Sequence, residues 1–310
     1  MKTFVLPGTD ITVPAVVTGV MRIEERSDAE IRALFDASLA AGIDFFDHAD
    51  IYGTRLHACE RRFAEALQLT PAQRAGITLQ SKAGIVKDGP YFDFSYEHLI
   101  SSVDGSLAAL GTDYLDILLL HRPDALVEPE EVARAFDELE AAGKVRAFGV
   151  SNHTPSQIEL LKTAVRQPIV ANQVQLSIAH APLVAQGVAA NMQGLAQSAV
   201  LDGGGLVDYA RINGITLQAW SPMQAPGWKL FLGSPDYPEL NAEIDRLAEA
   251  YGVEPIAIAT AWITRHPAGM QVVLGTTTPA RVAAAVKGSD LPLTRAEWYG
   301  LLRAAGYLIP

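Results

Sequence analysis

Four side chains that can exchange protons lie within six residues of one another: Asp47, His48, Asp50 and Tyr52. The apolar residues before Asp47 predict a short buried strand, and the polar cluster begins where that strand ends. In parallel α/β proteins the chemistry takes place at the carboxyl ends of the strands. This stretch is therefore the first candidate for a reactive site.

Two further polar side chains, Lys82 and His121, follow the next two predicted strands. A lysine cation near Tyr52 favours the phenolate, lowers the pKa of the hydroxyl and makes it a better proton donor. Asp47 would keep that lysine charged, and His121 could hydrogen-bond a carbonyl oxygen. The set suits protonation of an alkoxide that forms from a carbonyl. The hydride must then come from a cofactor, because no side chain can supply one.

Each of these residues also has an ordinary structural interpretation. Charged residues at strand ends are commonly solvated in loops, Tyr52 could be a core aromatic with its hydroxyl in water, and His121 could cap a turn. For any of them taken alone, the structural interpretation is favoured. Their joint placement on consecutive strands gives the catalytic interpretation more weight.

The elements that must position these groups alternate between strand and helix along the chain. The predicted strands are Val16–Gly19, Phe45–Asp47, Thr78–Ser81, Asp116–Leu120, Val145–Val150, Ile169–Val174, Thr216–Ala219 and Val272–Leu274. The predicted helices are Asp28–Ala41, His57–Leu67, Ser95–Leu110, Pro129–Ala142, Pro155–Ala164, part of Ala185–Arg211, Leu240–Tyr251, Pro255–Arg265, Pro279–Val286 and Thr294–Ala305.

Eight strand–helix units without a linker predict one α/β domain over residues 1–310, a (β/α)8 TIM barrel. A short hairpin over Phe4–Val13 precedes the barrel and a helix ends the chain. A doubly wound open sheet is the alternative, but Gly-x-Gly-x-x-Gly is missing after the first strand. Gly203-Gly204-Gly205 follows no predicted strand and is interpreted as a loop or helix stop.

Composition narrows the classes of function. The net charge of −11 disfavours nucleic acid and anionic lipid as partners, although a local basic pocket could still hold an anionic cofactor. Cys59 is the one cysteine, so neither an internal disulfide nor a cysteine-rich zinc site can form. The chain shows no signal peptide and no apolar run long enough to span a membrane. These features favour a cytoplasmic protein.

Several motifs resemble those of the aldo-keto reductase family and occur in the same order along the chain. Their residue identities are most similar to a bacterial oxidoreductase branch of the family. The matching segments are Phe46–Gly53, Ser81–Lys82, Leu119–Asp124, Gly143–Asn152, Asn172–Val174, Trp220–Met223 and Gly275–Arg281. The resemblance implies NADPH-dependent reduction of a small aldehyde or ketone. It gives Tyr52 the role of general acid, tuned by Lys82 and Asp47, with His121 orienting the carbonyl.

The resemblance also implies a set of cofactor contacts. They are Gly19, Met21, Asp47, Ser151, Asn152, Gln173, Trp220, Ser221, Pro222, Met223, Leu230, Gly275, Thr276, Thr277 and Arg281. Trp220 would replace the tyrosine that stacks on the nicotinamide in relatives. Arg281 would favour NADP over NAD because its planar fork matches a phosphate. Residues on loops at the same rim are candidate substrate contacts: Arg22, Tyr52, Tyr91, Phe92, His121 and Trp228.

Two alternatives remain open at this stage. One is an NADPH-binding regulatory subunit without turnover, since a fold does not fix a function. The other is a metal-dependent barrel hydrolase that uses Asp47, His48, Asp50, His57 and His121, although the His-x-His or Glu-x-x-His spacing of such sites is missing. No metal ligands are assigned. The sequence does not specify the substrate, the strictness of the NADP preference or the oligomeric state.

Overall fold

The computed structural model describes residues 1–190, 192, 197 and 205–310. Its strands are β1 (Thr3–Val5), β2 (Thr12–Pro14), β3 (Val16–Gly19), β4 (Phe45–Asp47), β5 (Thr78–Ala83), β6 (Ile85–Val86), β7 (Tyr91–Phe92), β8 (Leu115–Leu120), β9 (Val145–Ser151), β10 (Ile169–Gln175), β11 (Thr216–Trp220) and β12 (Gln271–Leu274). Eight of them, β3, β4, β5, β8, β9, β10, β11 and β12, pair in parallel and close into a barrel in that order. The predicted TIM barrel is confirmed.

Helices surround the barrel. They are α1 (Asp28–Ala40), α2 (Ala58–Leu67), α3 (Pro71–Ala75), α4 (Tyr96–Leu110), α5 (Pro129–Ala141), α6 (Pro155–Leu161), α7 (Pro182–Val188), α8 (Leu206–Asn213), α9 (Pro238–Tyr251), α10 (Pro255–Thr264), α11 (Pro279–Val286) and α12 (Arg295–Ala304). Among the described residues, no helix is long and apolar enough to cross a membrane. The short helix α3 and the β6–β7 hairpin were not predicted from the sequence.

Local sequence explains where several helices begin. Ser27 accepts a hydrogen bond from the Glu30 amide, and the Glu30 side chain bonds back to the Ser27 amide, which starts α1. Thr294 and Glu297 form the same capping box at α12. Ser95 caps α4, as predicted. These caps satisfy amide groups that have no partner within the helix.

Two hydrophobic layers hold the fold together. Inside the barrel, Val17, Phe45 and Ile117 pack with Leu6 and Val13 of the N-terminal hairpin segment. The predicted hairpin thus closes the end of the barrel where the strands begin. The second layer lies between the strands and the helices, where apolar side chains that point outward from the barrel meet the helix faces. Alternate residues of each strand therefore belong to different layers.

One predicted helical region is only partly described. Positions 191, 193–196 and 198–204 of the predicted segment Ala185–Arg211 lie outside the described residues, and Gly203 and Gly204 are among them. On either side lie α7 and α8. Gly205 precedes α8 with a φ of +76°, a left-handed conformation that favours glycine.

Candidate active site

A cleft of about 1270 Å³ lies at the carboxyl ends of the barrel strands. All but three of the residues predicted for the site line this cleft. They are Gly19, Met21, Arg22, Asp47, Tyr52, His121, Ser151, Asn152, Gln173, Trp220, Ser221, Pro222, Met223, Trp228, Leu230, Gly275, Thr276, Thr277 and Arg281. The structure thus brings into one place side chains from all parts of the barrel.

The three predicted site residues that do not line the cleft are Lys82, which lies beneath it, and Tyr91 and Phe92, which lie outside it. Lys82 lies within β5, not after it as predicted, and its side chain is buried directly beneath the cleft. Tyr91 and Phe92 form β7, where they are 52% and 43% exposed and do not line the cleft. The structure therefore does not bring these two aromatic residues together with the other predicted site residues.

The Lys82 ammonium group connects the polar groups at the bottom of the cleft. Its Nζ donates to both carboxylate oxygens of Asp47 at 2.8 Å, to the His48 carbonyl at 2.7 Å and to the Tyr52 hydroxyl at 3.0 Å. All three partners come from β4 and the loop after it, and Lys82 comes from the adjacent strand β5. Because Lys82 is 1% exposed and Asp47 2% exposed, their ion pair is shielded from solvent.

The protonation states follow from burial and from this ion pair. Burial alone would lower the pKa of Lys82, but Asp47 and Tyr52 together outweigh it and the pKa is raised, so the ammonium is charged. Burial raises the pKa of Tyr52, and the opposing effect of Lys82 is smaller. The lysine effect expected from the sequence is therefore present, but the net shift has the opposite sign. Tyr52 is a neutral hydroxyl with a proton to give.

His121 follows β8 and lies against Tyr52, with their ring centroids 5.9 Å apart in an edge-to-face arrangement. Burial holds the pKa of His121 well below its usual value, and the charges of Lys82 and Arg122 add to that effect. The imidazole is therefore neutral at pH 7 and carries one N–H donor. Together with the Tyr52 hydroxyl it can hydrogen-bond an oxygen atom in the cleft.

Sequence reasoning missed Gln80 and Gln218 inside the barrel, and it missed their hydrogen bonds with Gln173, which was predicted only as a cofactor contact. The Gln80 side chain donates to Asp47 Oδ1 at 2.6 Å, and Gln173 donates to the same oxygen at 3.0 Å. Both also donate to Gln218 Oε1, which links them to a third strand. These amides orient the carboxylate that holds Lys82. The available signal was a glutamine within three apolar strands, where a buried polar residue needs a partner.

A second network joins the residues predicted to meet the nicotinamide. Ser151 donates to the Gln173 carbonyl at 2.8 Å, and Asn152 donates to the Ser151 hydroxyl at 2.8 Å. The indole N–H of Trp220 donates to Asn152 Oδ1 at 3.0 Å. Asn152 and Ser221 both have left-handed backbone conformations, with φ of +61° and +51°. Such strained non-glycine conformations concentrate at functional sites.

Trp220 and Trp228 form an aromatic pair at the wall of the cleft. Their ring centroids are 5.7 Å apart and the planes are 20° from parallel. Trp228 lies on the loop before α9, is 61% exposed, and has a φ of +66°. Leu230 on the same loop is 56% exposed and also lines the cleft. This loop therefore presents apolar surface to whatever occupies the site.

The opposite end of the cleft is polar and open. Gly275, Thr276, Thr277 and Arg281 line it, between the end of β12 and the first turn of α11. Arg22 donates from Nη1 to the Gly275 carbonyl at 2.8 Å and so joins the loop after β3 to this end. Hydroxyl groups beside a guanidinium are donors suited to a phosphate.

The metal-site alternative can be compared with this geometry. Among the described ranges 1–190 and 205–310, no group of three or more His, Cys, Asp or Glu side chains is arranged to hold a metal ion. Asp47 and His48 belong to neighbouring positions of one strand end, and Asp47 is already bonded to Lys82. The arrangement is that of a proton donor beside an ion pair.

Comparison with known proteins finds relatives over nearly the whole chain. The model of the aldo/keto reductase family matches residues 15–302. An uncharacterised oxidoreductase of Bacillus subtilis, YcsN, is 34% identical and the alignment covers 97% of each chain. A 6-dehydroglucose reductase of Agrobacterium fabrum is 33% identical over 94% of this chain and 93% of its own.

A solved structure shows the same fold. It is a thermostable aldo-keto reductase, Tm1743, in complex with the inhibitor epalrestat, and it superimposes with a TM-score of 0.77 over 98% of this chain and 100% of its own. At 22% identity this likeness concerns the barrel alone. The family match over residues 15–302 and the two bacterial relatives identify the chain as a member of the aldo/keto reductase family.

Proposed function

We propose that the protein reduces an aldehyde or ketone to an alcohol with NADPH as the hydride donor. The observation that carries the proposal is the 3.0 Å hydrogen bond between the Tyr52 hydroxyl and the buried, charged Lys82. It gives the cleft a proton donor whose conjugate base is stabilised where it forms. Membership of the family supports carbonyl reduction as the reaction class, and the name of the Agrobacterium relative, a reductase, agrees with that direction.

The residues of the chain divide the work in the following way. NADPH, when bound, supplies the hydride that the carbonyl carbon accepts. Tyr52 gives its proton to the carbonyl oxygen, and neutral His121 donates a hydrogen bond to the same oxygen. Lys82 then faces a phenolate, and its charge stabilises that anion until solvent returns the proton. Asp47 keeps the ammonium group in place through its two 2.8 Å contacts.

The cleft has groups of the right chemistry to hold NADPH. Ser151, Asn152 and Gln173 offer amide and hydroxyl groups for a carboxamide, and the Trp220 ring offers a face for stacking. Backbone groups of Ser221–Met223 would meet the pyrophosphate. At the open end the Arg281 guanidinium is exposed and, among the described residues, has no hydrogen bond or ion pair. A 2′-phosphate would occupy that fork, which supports NADPH over NADH.

The test is NADPH oxidation with a broad panel of aldehydes, ketones and quinones, with NADH run in parallel. Replacing Tyr52 by Phe is expected to lower kcat by about 10²–10⁴-fold, the usual contribution of a positioned acid. Binding of NADPH, measured by quenching of tryptophan fluorescence, should be retained. Tyr299→Phe on α12 is the matched control, because Tyr299 is distant from the cleft and partly exposed.

Other outcomes would lead to other functions. Binding of NADPH without turnover of any carbonyl would favour a regulatory subunit on the same barrel. Loss of activity in the presence of a chelator would favour a metal-dependent reaction. Failure to bind either nicotinamide cofactor would overturn the proposal.

We also propose a cytoplasmic location, because the one cysteine, Cys59, is free and buried and NADPH is supplied there.

A further inference from the structure

The charge of the cleft is opposite to that of the protein. Five basic side chains line it: Arg22, Arg26, Lys87, Arg122 and Arg281. The acidic side chains of the lining are Asp47, which is already paired with Lys82, and Glu254. The whole chain carries a net charge of −11. A cationic cleft in an acidic protein indicates anionic ligands.

Three of the five cations are already bound within the protein. Arg22 donates to the Gly275 carbonyl at 2.8 Å, and Arg26 pairs with Glu30 at 3.2 Å. Lys87 donates to two main-chain carbonyls of a neighbouring loop at 3.0 and 2.6 Å. Their donors fix loops around the rim.

The other two guanidinium groups, those of Arg122 and Arg281, have no hydrogen bond or ion pair within the described part of the chain. They stand in different parts of the cleft. Arg281 is exposed at the end proposed for the cofactor phosphate. Arg122 is half-buried and follows His121 directly, with its Cζ 5.8 Å from the Trp220 ring centroid. The second free cation therefore lies beside the carbonyl site.

The position of Arg122 has a cost that a ligand would offset. Burial lowers the pKa of its guanidinium, which reflects partial loss of water around the charge. A guanidinium has five N–H donors, and donors withdrawn from water without a protein acceptor destabilise the protein. A planar oxyanion offers acceptors in the geometry of the fork. An oxyanion bound at this wall of the cleft would supply the acceptors that the protein does not.

We propose that the substrate is an aldehyde or ketone that carries a carboxylate, and that Arg122 binds this carboxylate while Tyr52 and His121 meet the carbonyl oxygen. The inference rests on the proposed reductase function and adds the substrate class. A carboxylate fits better than a phosphate, because Arg122 is the one unpaired cation of the described residues at this end and balances a single negative charge. A dianion would leave one charge without a partner in a half-buried position.

The experiment compares acids with neutral counterparts of similar size. The probes are 3- and 4-formylbenzoate against the corresponding formylbenzamides, and glyoxylate against glyoxal for a shorter spacing. In the natural protein we expect kcat/KM to favour at least one acid by about 10–100-fold, as a charged hydrogen-bonded pair of about 1.5–3 kcal/mol gives. The difference should lie mainly in KM, because the carboxylate is remote from the reacting atoms.

Variants of Arg122 separate its role from general effects. Arg122→Gln should reduce kcat/KM for the preferred acid about 10–100-fold and reduce that for the amide far less, so that the preference disappears. Arg122→Lys should restore part of it, because a point charge lacks the fork. Arg246→Gln removes the same charge on α9, away from the cleft, and should keep the preference.

Each remaining outcome overturns a stated part. Equal kcat/KM for acids and their neutral counterparts at all spacings, with good turnover, would overturn the inference and leave the reductase function standing. A preference for acids that survives Arg122→Gln would also overturn it. Preference for 4-formylphenyl phosphate over both benzoates would replace the carboxylate by a phosphate. No turnover of any carbonyl would overturn the reductase function itself.

Discussion

Two buried polar clusters lie on opposite sides of strands β4 and β5. The inner cluster faces the barrel and the cleft, and consists of Asp47, Tyr52, Gln80, Lys82 and Gln173. The outer cluster faces helices α2 and α4, and consists of His48, Asp50, His57, Glu60 and Ser81. Asp47 and His48 are neighbours in sequence, as are Ser81 and Lys82. The two-residue period of a strand sends them to opposite sides.

The clusters differ in how their charges are matched. In the inner cluster the ammonium group of Lys82 has four hydrogen-bond contacts with Asp47, His48 and Tyr52. In the outer cluster both ring nitrogens of His48 lack a hydrogen-bond partner among the described residues. One carboxyl oxygen of Asp50 lacks one too. The inner cluster is thus a bonded ion pair, whereas part of the outer cluster is buried without bonds.

The pKa shifts follow this difference. The partnered Lys82 stays charged, whereas burial lowers the pKa of His48 to about 4 and raises that of Asp50 to about 7. Burial alone would raise the pKa of Glu60, but the hydrogen bonds from His57 and Ser81 bring it below its ordinary value. Buried groups therefore stay charged where hydrogen-bonding or charged partners offset the loss of water, and become neutral where such partners are lacking.

The largest expected effect comes from breaking the inner ion pair. Lys82→Met should lower kcat by at least about 10²-fold, because nothing then stabilises the Tyr52 phenolate. It should also lower the free energy of unfolding by about 3–5 kcal/mol, since Asp47 is left as an uncompensated buried charge. Steady-state kinetics and urea unfolding measure the two quantities.

A double variant separates catalysis from stability. Asp47→Asn added to Lys82→Met removes the stranded charge, so we expect most of the stability to return while kcat stays low. Lys287→Met, at the exposed residue that caps the C-terminal end of α11, is the control and should change neither quantity by much. Normal turnover by the Lys82 variant would show that the lysine is structural and that the hydroxyl needs no cation.

The inner cluster was largely predictable and the outer one was not. Asp47, Lys82 and Tyr52 could be grouped because parallel strands end at one rim, and the bounds of β4 and α11 agree with the prediction. The sequence placed His48 and Asp50 in the same cluster as Asp47, because a three-residue strand is too short for its alternation to be recognised. Side-chain direction, and hence the role of each residue, became clear only from the barrel register.

Contacts between distant segments were the other limit. Gln80, Gln173 and Gln218 meet inside the barrel from three strands, and no local pattern marks their convergence. Tyr91 and Phe92 were predicted at the rim because they are aromatic and lie on a loop. Their direction depends on the pairing of β6 with β7, a hairpin of two residues per strand. Pairs this short leave no periodic signal in the sequence.

The next effect concerns the pH dependence of stability. Asp50 has a folded pKa of about 7 against an ordinary 3.8, so the folded state holds more protons in between and stability falls as pH rises through that window. His48 has a folded pKa of about 4 against 6.5, so the unfolded state holds more protons in between and stability falls as pH drops. The two slopes oppose one another between about pH 4 and 6.5.

Replacing Asp50 by Asn should therefore uncover the slope that belongs to His48. We expect the free energy of unfolding of the variant to rise by about 1–3 kcal/mol as the pH increases from 4 to 6.5. At pH 8, where Asp50 of the natural protein is a buried carboxylate, the variant should be more stable than the natural protein by a similar amount. Chemical unfolding at several pH values measures this. The lowered pKa of Glu60 moves its own titration toward the acid end of this range. Parallel pH profiles of variant and natural protein would contradict the assignment.

The smallest effect tests how tightly the outer cluster is built. Gly105 lies in the middle of α4, where glycine costs about 1 kcal/mol relative to alanine. A Cβ at this position would clash with His57 Nε2. The ring cannot easily move away, because Nδ1 is 2.6 Å from the fully buried Glu60 and His57 has a φ of +60°. We therefore expect that position 105 must be glycine, because the His57 ring leaves no room for a side chain.

Gly105→Ala should destabilise the protein by about 1 kcal/mol, because an overpacking cost of about 1–3 kcal/mol exceeds the gain in helix propensity. Gly187→Ala in α7 is the matched control, since nothing lies within 4 Å of its Cβ position, and it should be neutral or slightly stabilising. Adding His57→Ala to Gly105→Ala should abolish the clash, so the two changes together should cost less than their sum. If thermal unfolding shows that Gly105→Ala stabilises as much as Gly187→Ala, the outer cluster is loosely packed. Its unpartnered groups would then be free to rearrange, whereas the bonded inner cluster would not.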